Sequence, residues 1–351
     1  MERGKSFFVI LFFMLVILLS VPFTSHAQKF LTRPIEFVCH AAAGGGSDIM
    51  ARMMQSIIEK EKITTHPIAV VNRPGGGGGI AFAYVAGKKS DPHIWLTATT
   101  SFLTTPLLGK SKYTYKDFTP LTNLAYDDFF VAVKNDSPFK SMKDVIEAAK
   151  KKPGDLKVGG TYAPGTDAIT AHLIEKETGA KFNYIPFKSG GEMMIALLGG
   201  HLEATFPNPG EALAQMEAKR VRILGVTGQK RMETAPDIPT LREQGINVAF
   251  QQFRSIAAPK GLSDEAIKYY DEFFKKLANS KTWKEKYIKE NMLTWDYRTS
   301  AETYKLWESS NEVYARVMKE MATNGPARQD KPMPFDVRRM AYGGFKLLVE
   351  T

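Results

Sequence analysis

Apolar positions along the chain follow two spacings in alternation. Short runs rich in β-branched and aromatic residues, at 35–38, 68–71 and 94–97, read as strands and are separated by stretches of helical period. Directly after a glycine run, Ile49, Met50, Met53, Met54, Ile57 and Ile58 recur at helical spacing, giving strand, glycine loop and helix in succession. Ser141 with Asp144 three positions on forms a capping box for a further helix, which Pro153-Gly154 stops. The alternation then resumes, with strands predicted at 157–159, 182–184, 204–206 and 223–227 and helices at 166–178 and 191–198. Beyond Pro259-Lys260-Gly261 the texture turns helical. Ser263 caps a segment bearing Ile267, Tyr270, Phe273, Phe274 and Leu277, and an amphipathic stretch covers 301–321. The pattern predicts an α/β arrangement. The segment from Ala322 onward, rich in Pro, Gly and basic residues, receives no element, and no short-period repeat marks a solenoid.

The N-terminus departs from this pattern. Arg3 and Lys5 precede an unbroken apolar run over 7–19, followed by Ser25-His26-Ala27, a small-x-small cleavage pattern, so 1–27 is read as a signal peptide cut after Ala27. An uncleaved anchor fits less well, because the run falls short of the roughly 20 residues needed to span a bilayer. At 351 residues, 44% of them hydrophobic and 24% charged, the chain has a globular composition and room for two domains.

The formal charge of +10, lowered by one if 1–27 is removed, favours encounter with anions. Lys and Arg are spread along the chain with no dense block, which together with export argues against nucleic acid as a partner. The single cysteine, Cys39, excludes an intramolecular disulfide. It follows Glu36-Phe37-Val38 far from the apolar run, so a buried strand cysteine is a better reading than a lipid attachment site.

Three loops hold residues suited to an anion. Ala41 to Asp48, reading AAAGGGSD, stands between a predicted strand and helix; glycines there allow close backbone approach, and the free N–H groups of the first turn suit a carboxylate or phosphate. Ser47 and Asp48 could equally do no more than cap the helix, and at this point both readings stand. The loop matches neither phosphate-loop nor dinucleotide-binding spacing. Asn72-Arg73-Pro74 with the glycines at 75–79 forms a second loop, in which Arg73 is read as a tie for the loop more than an anion ligand. Thr161 to Thr166, reading TYAPGT, is the third, and two helix N-termini from separate lobes could face one ligand across a cleft that closes by hinge motion. Thr99, Thr100, Ser101 and Asn208 offer further polar groups on loops.

Catalytic and metal spacings are missing. The histidines at 40, 66, 93, 172 and 201 show no i, i+4 pairing and no Cys-His spacing, and no G-x-S-x-G elbow occurs. No catalytic residue, metal or cofactor is therefore expected, although a constellation assembled only in three dimensions is not spelled out by spacing.

Taken together, several segments resemble the periplasmic solute receptors of tripartite tricarboxylate transporters, the Bug family. They are RPIEFVCHAAAGGGSDIMAR, VVNRPGGGGGIAFAYVA, TATTSFLTTPLL, KPGDLKVGGTYAPGTD, IPFKSGGEMMIALLGGHLEATF, VRILGVTGQKR, APDIPTLREQGINV and APKGLSDEAI, in family order over 33–320. The resemblance implies a two-lobed, periplasmic-binding-protein-like (Venus flytrap) α/β fold with mixed sheets flanked by helices. It implies lobe 1 at 28–125 plus 253–325, lobe 2 at 126–252, and an extension of unknown role at 326–351.

Function implied in this way is capture of a small carboxylate in the periplasm, as a monomer, for the membrane permease subunits of the transporter. A secreted enzyme acting on an anionic substrate and a sensory ligand receptor are the alternatives. Carried onto this sequence, the ligand residues would be Gly44, Gly45, Ser47 and Asp48 from the first loop and Thr161, Gly165, Thr166 and Asp167 from the second lobe, with Thr100, Ser101 and Asn208 as further contacts. A capping or water-holding role suits Asp48 better than touching an anion. Cys39-His40 stands where the family usually has an apolar residue and proline, which points to His40 as a source of altered specificity or pH response.

Overall fold

Residues 31–161, 165–187 and 190–324 are described by the computed structural model. The predicted signal peptide at 1–27 and the extension at 326–351 lie outside the described residues. The chain parts into two units between Thr32 and Arg33, and the second carries all the described strands and helices.

The first half lays down β1 (Ile35–Cys39), α1 (Gly46–Lys60), β2 (Ile68–Asn72), α2 (Gly79–Ala86), β3 (Ile94–Ala98) and α3 (Thr100–Leu107). β1 pairs in parallel with β2 on one side and β3 on the other. Side chains alternate across the sheet, so neighbouring residues of one strand serve different cores. Phe37 and Trp95 face α8 (Asp264–Asn279), where Trp95 meets Phe274 at 5.1 Å and Phe273 at 5.4 Å between centroids. Val38 and Leu96 point the other way, into a cluster with Phe82 of α2, Phe102 of α3 and Trp307 of the long helix α9 (Ser300–Asn324). Cys39 is buried at the end of β1.

β4 (Phe118–Asp128), β10 (Gln251–Pro259) and β11 (Thr294–Arg298) complete a six-stranded mixed sheet in the order β11-β4-β10-β3-β1-β2, with β10 antiparallel to both β3 and β4. A second, five-stranded mixed sheet takes the order β7-β6-β8-β5-β9. Its strands are β5 (Phe130–Lys134), β6 (Lys157–Thr161), β7 (Asn183–Phe187), β8 (Ala204–Thr205) and β9 (Val221–Val226). Helices α4 (Met142–Lys151), α5 (Thr166–Thr178), α6 (Gly190–Leu198) and α7 (Pro209–Glu217) lie between them in sequence. Val131 and Val133 pack with Val145 and Ile174, while Ala132 between them packs with Met193 and Leu197. Each sheet is thus covered on both faces by apolar helix surfaces, which is the architecture of a two-lobed α/β protein.

The chain passes between the sheets twice, from β4 to β5 across Phe129 alone and from β9 back to β10. The two passages are laced together. Thr227 accepts the Phe129 N–H at its hydroxyl (2.9 Å) and donates its own N–H to the Phe129 carbonyl (2.9 Å), while Phe250 stacks on Phe129 at 6.0 Å. Helix α9 touches both halves: Trp307 packs on Phe102 at 4.9 Å, and Glu320 accepts from Lys176 of α5 at 2.8 Å.

The segments predicted as strands and helices all fold so. What the periodicity did not yield are the four strands at 118–128, 130–134, 251–259 and 294–298, the short helices α2, α3 and α7, and the π-helical turn Trp283–Lys289.

Candidate functional site

Strand order reverses once in each sheet. From β1 the chain moves to β2 on one side and later to β3 on the other, all parallel, and β6 stands in the same relation to β7 and β8. In open α/β sheets, loops leaving the carboxyl ends at such a point part to either side and leave a crevice where ligands sit.

A cavity of about 330 Å³ lies at these strand ends and is lined from both sheets. The first contributes His40, Ala41 and Ala42 after β1, Gly46 and Ser47 opening α1, Pro74, Gly75, Gly77 and Gly78 between β2 and α2, and Thr99, Thr100, Ser101 and Thr104 around the start of α3. The second contributes Gly165 and Thr166 opening α5 and Asn208 ahead of α7, and Gln252 and Arg254 reach in from β10. Among the described residues no carboxylate appears on this lining. The loop 75–78 can bend as it does only with glycine, since all four residues take positive φ, from 59° to 119°.

Of the predicted ligand residues, Ser47, Thr100, Ser101, Gly165, Thr166 and Asn208 come together on the lining, whereas Gly44, Gly45, Asp48, Thr161 and Asp167 are not on it. The two aspartates do equivalent work behind the loops. Asp48, only 2% exposed, accepts from the Gly44 N–H (2.9 Å), the Asn72 amide (2.8 Å) and the Arg52 guanidinium (3.0 Å). Burial alone would raise its carboxyl, but these hydrogen bonds outweigh it and hold the group below its ordinary value. Asp167 accepts from the Thr161 N–H, the Thr161 hydroxyl (2.8 Å) and the Thr166 hydroxyl (3.2 Å). There burial wins and the carboxyl is raised. Each aspartate ties the end of a strand loop to the first turn of the following helix.

Two polar atoms on the lining are buried without a hydrogen-bond partner, Ser101 Oγ and Asn208 Oδ1. Such atoms are costly in a protein interior unless something else meets them.

The positive group on the wall is Arg254, which the sequence reading missed. Its guanidinium grips Asp127 bidentately, Nε to Oδ1 and Nη2 to Oδ2, both at 2.9 Å, and Nη1 donates to the Gly46 carbonyl at 3.1 Å. Burial would lower its basicity, but Asp127 and then Tyr287 more than compensate, so its charge is held firmly. Gln252 donates to Asp127 Oδ2 at 2.6 Å. No local motif could have signalled these residues: they sit on a strand whose partners lie far away in sequence, and Arg254 reveals itself only as a charged residue within the apolar run FRSIAAP.

His40 also lies on the wall. Its Nδ1 is 2.9 Å from the Thr97 carbonyl and 2.7 Å from the Thr97 hydroxyl, and Nε2 is 3.3 Å from the Thr99 hydroxyl. Burial, with the Arg254 charge adding to it and the Thr97 bond opposing, pushes the imidazole down to about 4. Among the described residues no group of three or more His, Cys, Asp or Glu could hold a metal ion, and no helix is long and apolar enough to cross a membrane.

Two sheets with matched switch points and one cavity between them define a two-lobed solute receptor. The model for the tripartite tricarboxylate transporter family receptor matches residues 50–322, and the chain belongs to that family. A Cupriavidus necator protein, named "UPF0065 protein in gbd 5'region", is 31% identical over 276 residues, which cover 78% of this chain and 84% of that protein. A TctC solute-binding protein from Polaromonas, solved without ligand, superposes with a TM-score of 0.73 at 27% identity, covering 83% of this chain and all of the other. An R. palustris protein solved with adipate shares the fold at a TM-score of 0.73 and 23% identity, over 83% of this chain and 98% of that one.

Proposed function

We propose that this protein is a periplasmic receptor that captures a small carboxylate between its two sheets and hands it, without turnover, to the membrane permease subunits of a tripartite-type transporter. The observation that carries the reading is the lining of the cleft: helix starts from both halves and several hydroxyls, with one guanidinium and no carboxylate among the described residues. Backbone N–H groups at helix N-termini favour an anion through both hydrogen bonding and the helix dipole. Adipate in the R. palustris protein of the same fold agrees with this chemistry. In this reading the chain acts as a monomer after loss of 1–27. Residues 33–128 with 251–324 form one lobe and 130–226 the other, and closure bends the paired passages at Phe129 and 227–250. The ligand is held by Ser47, Thr100, Ser101, Gly165, Thr166 and Asn208, with Gly44, Gly45, Asp48, Thr161 and Asp167 shaping the two loops.

A thermal-shift and calorimetric screen of mono- and dicarboxylates tests it. At least one acid is expected to bind saturably and to add about 2.7 kcal/mol of stability at a hundredfold excess over its Kd, seen as a rise of a few degrees in Tm. A panel giving neither heat nor shift overturns the reading, and product formation from any member replaces it with catalysis.

A further inference from the structure

We propose that Thr99 and His40 make the cleft selective for carboxylates that bring a hydrogen-bond donor of their own, a hydroxyl or an amino group. This rests on the carboxylate reading above and narrows its substrate class.

A short chain of hydrogen bonds runs from buried Thr97 through His40 to Thr99. His40 Nδ1 lies 2.9 Å from the Thr97 carbonyl oxygen and 2.7 Å from the Thr97 hydroxyl, which already accepts the His40 backbone N–H at 3.2 Å; a carbonyl can only accept, so the proton is assigned to Nδ1, where both oxygens receive it. Thr97 itself has no exposed surface, which keeps water from taking over that bond. Burial holds the imidazole neutral at ordinary pH, as its lowered pKa of about 4 reflects. In the neutral ring the second nitrogen is then an acceptor. Nε2 is 3.3 Å from Thr99 Oγ1, so the Thr99 hydroxyl points its proton at the imidazole. Direction is thereby imposed along the whole chain, from Thr99 to His40 to Thr97, and Thr99 is left with oxygen lone pairs.

Thr99 and His40 both line the cavity, so those lone pairs meet whatever fills it. Across the cleft, Asn208 on the same lining carries a side-chain carbonyl, a second acceptor. Ionised carboxylates only accept. A plain mono- or dicarboxylate satisfies the helix starts and Arg254 but leaves these acceptors unmet, while a hydroxyl or amino group on its carbon chain supplies the missing proton. Sites that leave a buried polar group unpaired discriminate more strongly than pockets that lack a methylene.

Calorimetry on the full-length mature protein with acids matched in length tests this: glycolate against acetate, lactate against propionate and malate against succinate, which are also matched in charge, and aspartate against succinate, which adds an ammonium donor. The expected result is a tenfold or greater preference for the donor-bearing member of the pair that fits the cleft best. His40→Phe, which keeps a ring beside Phe82, and Thr99→Val, which keeps the shape of the side chain, are each expected to bring that ratio toward unity. Equal or tighter binding of the unsubstituted acids overturns the proposal while leaving the carboxylate reading intact. So does a preference that survives in both variants. Absence of binding by every acid overturns the carboxylate reading and this inference with it.

Discussion

Arg254 is useful to an anion only as far as its own counter-ion leaves it free. Asp127 takes two of its N–H groups and the Gly46 carbonyl a third, so the pair is neutral as a whole, and what the cleft receives is oriented N–H donors with little net charge. Pairing also explains how a guanidinium only 7% exposed is tolerated, because a buried charge without a partner costs several kcal/mol. His40 meets the interior in the opposite way, by staying neutral. NMR of the imidazole nitrogens is expected to show a proton on Nδ1 and none on Nε2 from pH 8 down to about pH 5, with the second proton arriving near pH 4. A ring that titrates near 6.5, or that bears its neutral proton on Nε2, contradicts the hydrogen-bond direction assigned to Thr99.

At the scale of elements, the starts of α1 and α5 are built alike, with a glycine in extended backbone as N-cap and an aspartate in the first turn reaching back to the preceding loop. The aspartate does for the loop what Ser141 and Asp144 do for each other at the start of α4, where both halves of a capping box close. Replacing Asp48 with Ala removes the acceptor of the Gly44 N–H and of one Asn72 amide proton, the Asn72 bond to the Ala41 carbonyl remaining, whereas Arg52, half exposed, regains water. The expected loss in urea denaturation is about 2 kcal/mol. Ligand affinity should fall as well, because the first turn of α1 is no longer held in place. A change below about 0.5 kcal/mol would mean that the loop keeps its shape without Asp48.

For the molecule as a whole, the decisive region is where the chain crosses between the sheets. Asp127 and Asp128 end β4, Gln251 and Gln252 open β10, and the pairs Gln251–Asp128 and Gln252–Asp127, each at 2.6 Å, bind the two passages side by side. Burial pushes Asp128 up to about 6, with the Asp127 charge adding to it and hydrogen bonds from Thr294 and Gln251 opposing. Its folded value lies above the unfolded 3.8, so the native state holds the extra proton between these values and stability falls as pH rises from about 4 to 6. His40, whose folded value of about 4 lies below the unfolded 6.5, contributes the opposite slope between those values. Asp128→Asn removes only the first effect. Its stability relative to the unsubstituted protein is expected to climb by about 2 kcal/mol between pH 4 and pH 6, measured by denaturant titration at each pH. A flat difference curve would place the titration of Asp128 elsewhere.

Local interactions were legible from the chain alone. Residues three or four apart share a helix face and residues two apart share a strand face, so α1, α5, α8, α9 and the parallel strands β1, β2, β3 and β6 declared themselves, as did the capping of α4. The strand-to-helix loops rich in glycine and hydroxyls were visible for the same reason, and six residues singled out there line the cleft. Strands β4, β5, β10 and β11 were not. β4 and β5 run together with one residue between them, and β10 alternates too little for a period to show, so nothing local separates them. Arg254 beside Asp127, Gln252 beside both, and Thr99 completing His40 depend on strands brought together from 50 to more than 120 residues away. Spacing along a chain encodes which face a side chain shares with its near neighbours; which distant groups it then meets is set by the order in which strands pair, and that exists only after folding.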